Sequence, residues 1–363
     1  MFSRFVNSAC LKRAVIPLAV SMLCITTSVS NVSGNTGSQH EVVGDIILRA
    51  GDTSLAAWKL PELPESHNDG LIALGHKLFF DTRLSLDRNR SCASCHNPAL
   101  GWSDGLATAR GIDGKSLARA TPSLNNAAYG TIFTWDGSAA TLEEQATQPV
   151  FDNDEMGLDP EELLTRLRAD AGYRRMFEDL FPERAINITA ISSAIAAFER
   201  TIVVNNTRFD QWVAGDTTAM TPAEVRGFGV FLDPARGSCG TCHAAPNFTD
   251  DGFHNIGLES PASENHDSGR YKIRPVKLMR GAFKTPSLRN IALTAPYFHN
   301  GAADTLTDVI DHYVDGGDKS NLSPEMKEIE LSAQEKNDLI AFLYSISESP
   351  ETSLQNSISV APE

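Results

Sequence analysis

The sequence predicts a mostly α-helical protein built as two halves around two copies of one short motif, with few and short strands. Three observations carry this expectation. The pattern C-x-x-C-H occurs twice, as Cys92-Ala93-Ser94-Cys95-His96 and as Cys239-Gly240-Thr241-Cys242-His243. Helix-start signals recur along the chain, each followed by apolar residues at helical spacing. Runs that alternate apolar and polar residues, which would mark strands, are scarce.

The elements follow in order. Residues 1–30 read as an export signal: Arg4, Lys12 and Arg13 give a basic start, Ala14 to Ile25 an apolar stretch, and Ser28-Val29-Ser30 a small-residue cleavage point. The apolar stretch is short for a membrane span, and the bulky Leu23 before Cys24 argues against a lipid anchor. Residues 31–43, polar and rich in Gly and Ser, are expected to form a flexible leader. Asp159-Pro160-Glu161-Glu162 combines an N-cap with Pro at the first helical position, and Leu163, Leu164 and Leu167 supply the apolar face. Ala190 to Val204 is apolar on most sides and predicts a buried helix. Thr221-Pro222-Ala223-Glu224 is a capping box opening a helix toward Phe231, which delivers the chain to the second motif. Thr305-Leu306-Thr307-Asp308 opens a helix through Tyr313 that Gly316-Gly317 ends. Ser332-Ala333-Gln334-Glu335 opens the last, through Leu339 and Leu343. A boundary in the polar stretch Asn205 to Thr218 separates an N-terminal domain, 44–210, from a C-terminal domain, 211–348, and 349–363 is expected as a flexible tail. Outside the two motifs the internal repeat is weak in sequence.

C-x-x-C-H is the attachment signature of a c-type haem. The two thiols add to the haem vinyl groups, and the adjacent His reaches the iron from one face. The alternatives are a disulfide, a redox dithiol or half a zinc site. The C-x-x-C pairs of a zinc ribbon lie far closer together, and a redox dithiol leaves the His after both pairs unexplained. The expected cofactors are therefore two covalently bound haem c groups, held by Cys92, Cys95 and His96 and by Cys239, Cys242 and His243, one in each domain. The only other cysteines, Cys10 and Cys24, fall in the export signal, so no disulfide is expected.

The chain carries 31 Lys and Arg against 46 Asp and Glu, a net charge of −15. That balance argues against nucleic acid and anionic membrane and suits a basic or dipolar protein partner. No second long apolar run follows, so an exported, periplasmic protein that does not span the membrane is expected.

Further segments match a known pattern in order. They are Leu74-Gly75, Leu78-Phe79, Asp81 and Arg83-Leu84-Ser85 before the first motif. Between the motifs come Thr121-Pro122-Ser123-Leu124-Asn125, Trp135-Asp136-Gly137, Gln145, Pro149 and Glu155-Met156. After the second come Phe253-His254-Asn255-Ile256-Gly257-Leu258, Thr285-Pro286-Ser287-Leu288-Arg289-Asn290 and Thr294-Ala295-Pro296-Tyr297-Phe298-His299-Asn300-Gly301. From about Leu74 to Leu343 the chain thus resembles the bacterial di-haem cytochrome c peroxidases and their MauG-type relatives.

The resemblance implies that the N-terminal haem, with His96 as proximal ligand, reacts with H2O2. The C-terminal haem, with His243, handles electrons. It makes Glu155 the distal general acid–base, Gln145 the amide that orients peroxide and water, and Pro149 the residue that crowds out a sixth ligand. On local sequence alone Glu155 reads first as an exposed carboxylate in an acidic turn; its spacing from Trp135 through Gln145 and Pro149 favours the distal role. Trp135 matches the tryptophan between the haems; the alternative is a core Trp with its N–H satisfied.

Many peroxidases of this family carry a blocking His after the first motif. Here no His lies between His96 and His243, and Ile112 stands at that position. On the second haem the peroxidase branch uses a Met and the MauG branch a Tyr; the position falls on Tyr313, with Met279 and Met326 off register. Adjacent His312 is a rival ligand, but successive helical residues point about 100° apart, so only one can face the iron. Thr294 and Pro296 match carbonyl ligands of a calcium ion between the domains, whose third protein ligand, an Asn, is replaced by Ala120. Gly237 stands where the MauG type has a Trp on its path to a protein substrate.

These features imply a periplasmic oxidoreductase that uses H2O2 to form a high-valent haem state and oxidises a partner protein, at a residue such as Trp. The alternative is a cytochrome c peroxidase that reduces H2O2 to water with electrons from a small c-type cytochrome or cupredoxin. A second alternative is a di-haem electron carrier without enzymatic activity, in which Glu155 and Gln145 have no purpose.

Overall fold

The computed structural model describes residues 40–43, 46–63, 68–183, 186–258 and 266–359. The expected export signal and most of the expected leader lie outside these residues. Strands are few: β1 (His40–Val43) pairs antiparallel with β2 (Ile46–Arg49), so the last four residues assigned to the flexible leader form one side of a hairpin.

Helices make the rest. In the first half α1 (Asp69–Phe79) is capped by Asn68, and α2 (Cys92–Cys95) is one turn bearing the first motif. Then follow α3 (Leu142–Gln145), α4 (Gln148–Phe151), α5 (Pro160–Ala169), α6 (Ala171–Leu180) and α7 (Ile188–Glu199). Asp159 caps α5 through two backbone N–H groups, as its sequence predicts. The helix expected over Ala190 to Val204 starts at its Asn187 cap and stops at Glu199. It stops because the Asn126 side chain takes both backbone groups of Val204, its Oδ1 accepting from the N–H at 2.6 Å and its amide donating to the C=O at 3.1 Å.

The second half opens with α8 (Arg208–Ala214), which occupies the stretch read as a polar boundary; its Phe209, Trp212 and Val213 are buried. Next come α9 (Pro222–Leu232), the short antiparallel pair β3 (Phe253–His254) and β4 (Phe283–Lys284), then α10 (Leu306–Asp315) and α11 (Ala333–Ser345). The capping boxes at Thr221, Thr305 and Ser332 are all formed. The expected flexible tail instead holds α12 (Pro350–Ser359), started by the Ser349 hydroxyl accepting from the Thr352 N–H.

Two hydrophobic cores result. One is built from α1, α5, α6 and α7 around Phe79, Tyr173, Phe177 and Phe198. The other gathers Phe209, Phe228, Phe231, Phe248 and Phe342. Leu48, Leu55 and Trp58, placed by sequence in the N-terminal domain, pack into this second core instead. Trp58 is an aromatic neighbour of Phe228 and Phe248, at 5.2 and 4.9 Å between ring centroids.

Each core is organised by a helix pair that meets at a glycine. A Cβ on Gly75 of α1 would lie 1.9 Å from the Ala194 carbonyl oxygen of α7; a Cβ on Gly227 of α9 would lie 1.9 Å from the Asp338 carbonyl oxygen of α11. The repeat reaches further. One constant offset in numbering carries Thr121-Pro122-Ser123-Leu124 onto Thr285-Pro286-Ser287-Leu288. It carries left-handed Asn126 onto left-handed Asn290, each with φ 59° and ψ 24°. It carries the Phe133–Ala139 bridge onto Tyr297–Ala303 and the Thr141 cap of α3 onto the Thr305 cap of α10. The repeat is weak in side chains but strong in backbone conformation.

Candidate active site

The first motif closes a single helical turn. The Ser91 and Ser94 side chains cap it reciprocally, leaving Cys92, Cys95 and His96 on a short, fixed scaffold. His96 Nδ1 hydrogen-bonds to the Trp102 carbonyl at 3.1 Å, which leaves Nε2 for a ligand. Burial pulls the imidazole pKa down, favouring the neutral form that binds metal. Burial pushes the Cys92 and Cys95 thiols up, away from reactive thiolates. Beside Cys95 opens a cleft of about 490 Å³, whose lining includes Arg90, Arg110, Asp104 and Ser94.

The second motif repeats this chemistry on a 3₁₀ turn, Cys239–Thr241, entered through left-handed Ser238. His243 Nδ1 bonds the Phe248 carbonyl at 3.0 Å, and Trp102 and Phe248 are both left-handed, with φ of 61° and 55°. A carbonyl on a strained turn thus fixes each imidazole, the outer-shell contact that orients a ligating His. None of the four thiols is in a disulfide. Two unpaired thiol pairs, each with a neutral His whose far nitrogen is held, fit two covalent haems.

Gln145 ends α3 and Pro149 sits in the first turn of α4; their neighbours Ala146 and Val150 belong to the core against which Cys92 packs. Glu155 follows in a tight turn, its N–H donating to the Asp152 carbonyl at 3.1 Å. Burial, then the charges of Asp152 and Asp154, push its carboxyl up to about 6. Its charge is felt at the Cys95 thiol, so Glu155 turns toward the first motif while Asp152 and Asp154 beside it stay exposed. Ile112 lies against this turn: its N–H donates to the Asp154 carbonyl at 3.0 Å. Glu199 on α7, 3 % exposed, has one carboxylate oxygen without a partner, and burial pushes it up to about 8. It is felt at Cys92, and sequence reading passed over it because its helix looked purely apolar.

In the second half α10 separates its two candidates. His312 Nε2 is taken by the Ile256 carbonyl at 2.9 Å. The Tyr313 hydroxyl is pushed upward by burial and by Cys239 and Cys242, so it lies on the side of the second motif. The offset that relates the halves carries Pro149 onto Tyr313.

Between the halves lie Trp135 and His299, related by the same offset, with ring centroids 6.3 Å apart. The Ala120 N–H donates to the His299 carbonyl at 2.7 Å, and the equivalent Lys284 N–H donates to the Trp135 carbonyl at 2.8 Å. The Trp135 indole donates to the Ala120 carbonyl at 2.8 Å. Arg119 binds Asp136 at 2.8 Å and Asp267 at 2.7 Å. Sequence reading found Trp135 but not this clamp, whose partners are distant in the chain.

The profile of the di-haem cytochrome c peroxidases matches residues 69–218. The methylamine utilization protein MauG of Methylorubrum extorquens is 45% identical over 283 residues, 77% of this chain and 78% of that one. MauG of Methylophilus methylotrophus is 44% identical over 276 residues, 75% and 81% of the two chains. A crystal structure of a MauG-like protein associated with microbial copper homeostasis superposes with a TM-score of 0.74 at 33% identity, over 80% of this chain and 95% of that one. The chain belongs to the di-haem cytochrome c peroxidase/MauG family.

As a MauG-like di-haem peroxidase it is an oxidoreductase that acts on hydrogen peroxide. The family implies two haem c groups, which the two motifs fit. Among the described residues no helix is long and apolar enough to cross a membrane. The calcium expectation fits poorly. Ala120 has no side-chain oxygen, its carbonyl already accepts from Trp135, and calcium takes six to eight oxygens. Cys242, Asp250 and His254 cluster closely enough to suggest a metal site among the described residues. Cys242 belongs to the second haem-attachment motif, however, and His254 sits between Asp250 at 2.9 Å and Glu325 at 3.3 Å. Its hydrogen bond to Asp250 raises its pKa beside the second motif.

Proposed function

We propose that this di-haem peroxidase acts in the periplasm and uses H2O2 to oxidise a partner protein at an aromatic side chain such as Trp. The observation that carries the reading is the environment of α10. Tyr313 lies toward Cys239 and Cys242, while His312 is occupied by the Ile256 carbonyl. A phenolic oxygen on iron favours ferric and higher oxidation states where a Met thioether favours ferrous. Cys92, Cys95 and His96 would hold one haem c and Cys239, Cys242, His243 and Tyr313 the other. When bound, the pair supplies two-electron reduction of peroxide and storage of the oxidising equivalents.

This chain's residues supply the rest. Glu155, as carboxylate, takes the proton from H2O2 at one carboxylate oxygen and, once protonated, returns it to the leaving oxygen. Gln145 orients peroxide and water through its amide. Pro149 offers no donor or ligand atom, so it keeps its side of the first site open, as Ile112 does in place of a His. Trp135, held by Ala120 and flanked by His299, connects the two halves. The residues at 120, 294 and 296 are assigned no step.

The test is to add one equivalent of H2O2 to the fully ferric holoprotein and follow optical spectra by stopped flow. A prompt and long-lived spectral change is expected, and Tyr313→Met is expected to abolish its persistence. No reaction until one haem has been reduced would overturn the reading in favour of a cytochrome c peroxidase fed by a small cytochrome or cupredoxin.

A further inference from the structure

The chain is acidic overall, yet residues 270–280 contain Arg270, Lys272, Arg274, Lys277 and Arg280 and no acid. The segment is a closed lobe. Gly269 bridges to Ala282, and the Gly281 N–H donates to the Ser268 carbonyl at 3.0 Å. Inside it the Arg280 guanidinium lies over the Tyr271 ring at 4.4 Å. Such self-packed Ω-loops with adjacent ends are frequently functional.

The lobe's outer face carries two chemistries. Ile273, Val276 and Leu278 are 48%, 47% and 48% exposed, three large apolar side chains within six residues. Around them Arg274 and Lys277 are exposed, and Lys272 is exposed with only a loose pairing to Asp267 at 3.4 Å. An apolar centre ringed by cations is the anatomy of a protein–protein contact.

The lobe's base abuts the connection between the halves. Arg270 donates to the Asp136 and Gly137 carbonyls at 2.8 and 2.6 Å, next to Trp135. Asn255 and Asn321 hold the Arg280 carbonyl at 3.0 and 2.9 Å.

We propose that this lobe is the docking surface for an acidic protein partner, one that presents an apolar patch rimmed by carboxylates. This rests on the reading that the enzyme exchanges electrons with a protein, and it specifies that partner's chemistry. Charge complementarity selects the class. An extended polyanion such as nucleic acid or an anionic membrane would reach far past one loop and meet the field of a chain of net charge −15. A compact partner can stay within the roughly 8–10 Å over which salt leaves the local charge dominant. The interleaved apolar side chains give such a partner an area to bury, which a purely electrostatic phosphate site lacks.

The experiment titrates the holoprotein, with no peroxide present, against two probes: plant plastocyanin, which is acidic, and mitochondrial cytochrome c, which is basic. Binding is read by calorimetry at low and at 0.5 M salt, for the wild type and for the double variant Arg274→Glu/Lys277→Glu. Both substituted residues are exposed and lie outside the haem sites. Plastocyanin is expected to bind the wild type at low salt, to weaken about tenfold or more in the double variant and to be released by salt, as steered charge pairing requires. Cytochrome c is expected to bind the variant no more weakly than the wild type. A second variant, Ile273→Ser/Leu278→Ser, should weaken plastocyanin with little change in salt dependence.

Plastocyanin binding that is undetectable, or equal in wild type and double variant, overturns the proposal. Peroxide-driven oxidation of a small dye, run in parallel, keeps the two readings apart. Loss of dye oxidation in the wild type sinks the proposed function, while the binding comparison still decides the lobe.

Discussion

Glu155 shows how burial changes the protonation of a common residue. An exposed glutamate is ionised at any physiological pH; here burial, then Asp152 and Asp154, push the carboxyl up to about 6. A base with that value is mostly ionised at pH 7 yet can hold a proton in the next step, the condition for shuttling one between two oxygens. The sign of the pH dependence follows. Base function needs the carboxylate, so the rate of reaction with H2O2 should be flat above about pH 7 and fall as pH drops through 6. Glu155→Gln should lower that rate by about 10²–10⁴-fold and remove the pH dependence. Stopped-flow rates of the ferric holoprotein between pH 4.5 and 8 check this; an unchanged profile in the variant would remove Glu155 from the proton path. The two C-x-x-C-H motifs were legible because their spacing is itself a chemical signature. Glu199 was not, because its altered charge state comes from burial within an apolar helix, which no local pattern encodes.

At the scale of elements, capping chemistry was the most legible feature. The boxes at Thr221, Thr305 and Ser332 and the cap at Asp159 need only residues two or three apart, and all formed. Termini set by distant partners were missed: Asn126 stops α7 from a different part of the chain. The Ser349-Pro350 start of α12 was a readable local signal overlooked in a polar tail. The glycines at the helix crossings were equally hidden, since nothing near Gly75 or Gly227 tells of the carbonyl 1.9 Å from a would-be Cβ. Both contacts are with backbone, which cannot swing away. Gly75→Ala and Gly227→Ala should therefore each destabilise the fold by about 1–3 kcal/mol, the usual range for overpacking, despite alanine's better helix propensity. Urea unfolding of the two variants is the check. A variant as stable as the wild type would mean that the helices of that pair separate freely.

At the scale of the molecule, the two halves are a duplicated scaffold with different side chains at matching places. Trp135 answers His299 and Pro149 answers Tyr313, so the same backbone position carries a side chain without a ligand atom in one half and a phenol in the other. The expected division at residue 210 misses how the chain crosses between cores. Leu48, Leu55 and Trp58 precede the whole first half, yet they complete the second core. A sequence-based boundary assigns neighbours in the chain to one unit; burial assigns them to whichever core has room, and the aromatic cluster of Phe228, Phe231 and Phe248 has room for an indole. Trp58 touches that cluster edge-on at Phe228 and tilted at Phe248, and the Phe248 carbonyl holds His243. Trp58→Ala should therefore destabilise the protein by about 3–5 kcal/mol, as loss of a buried Trp does. Its spectral effect should fall on the second haem, 34 residues of numbering before the first motif though it lies. Unfolding by urea measures the first, and separate resolution of the two ferric haem signals by electron paramagnetic resonance measures the second. A perturbed first haem with an intact second would mean that Trp58 stabilises the half it precedes in sequence, and that the crossing has no bearing on how His243 is held.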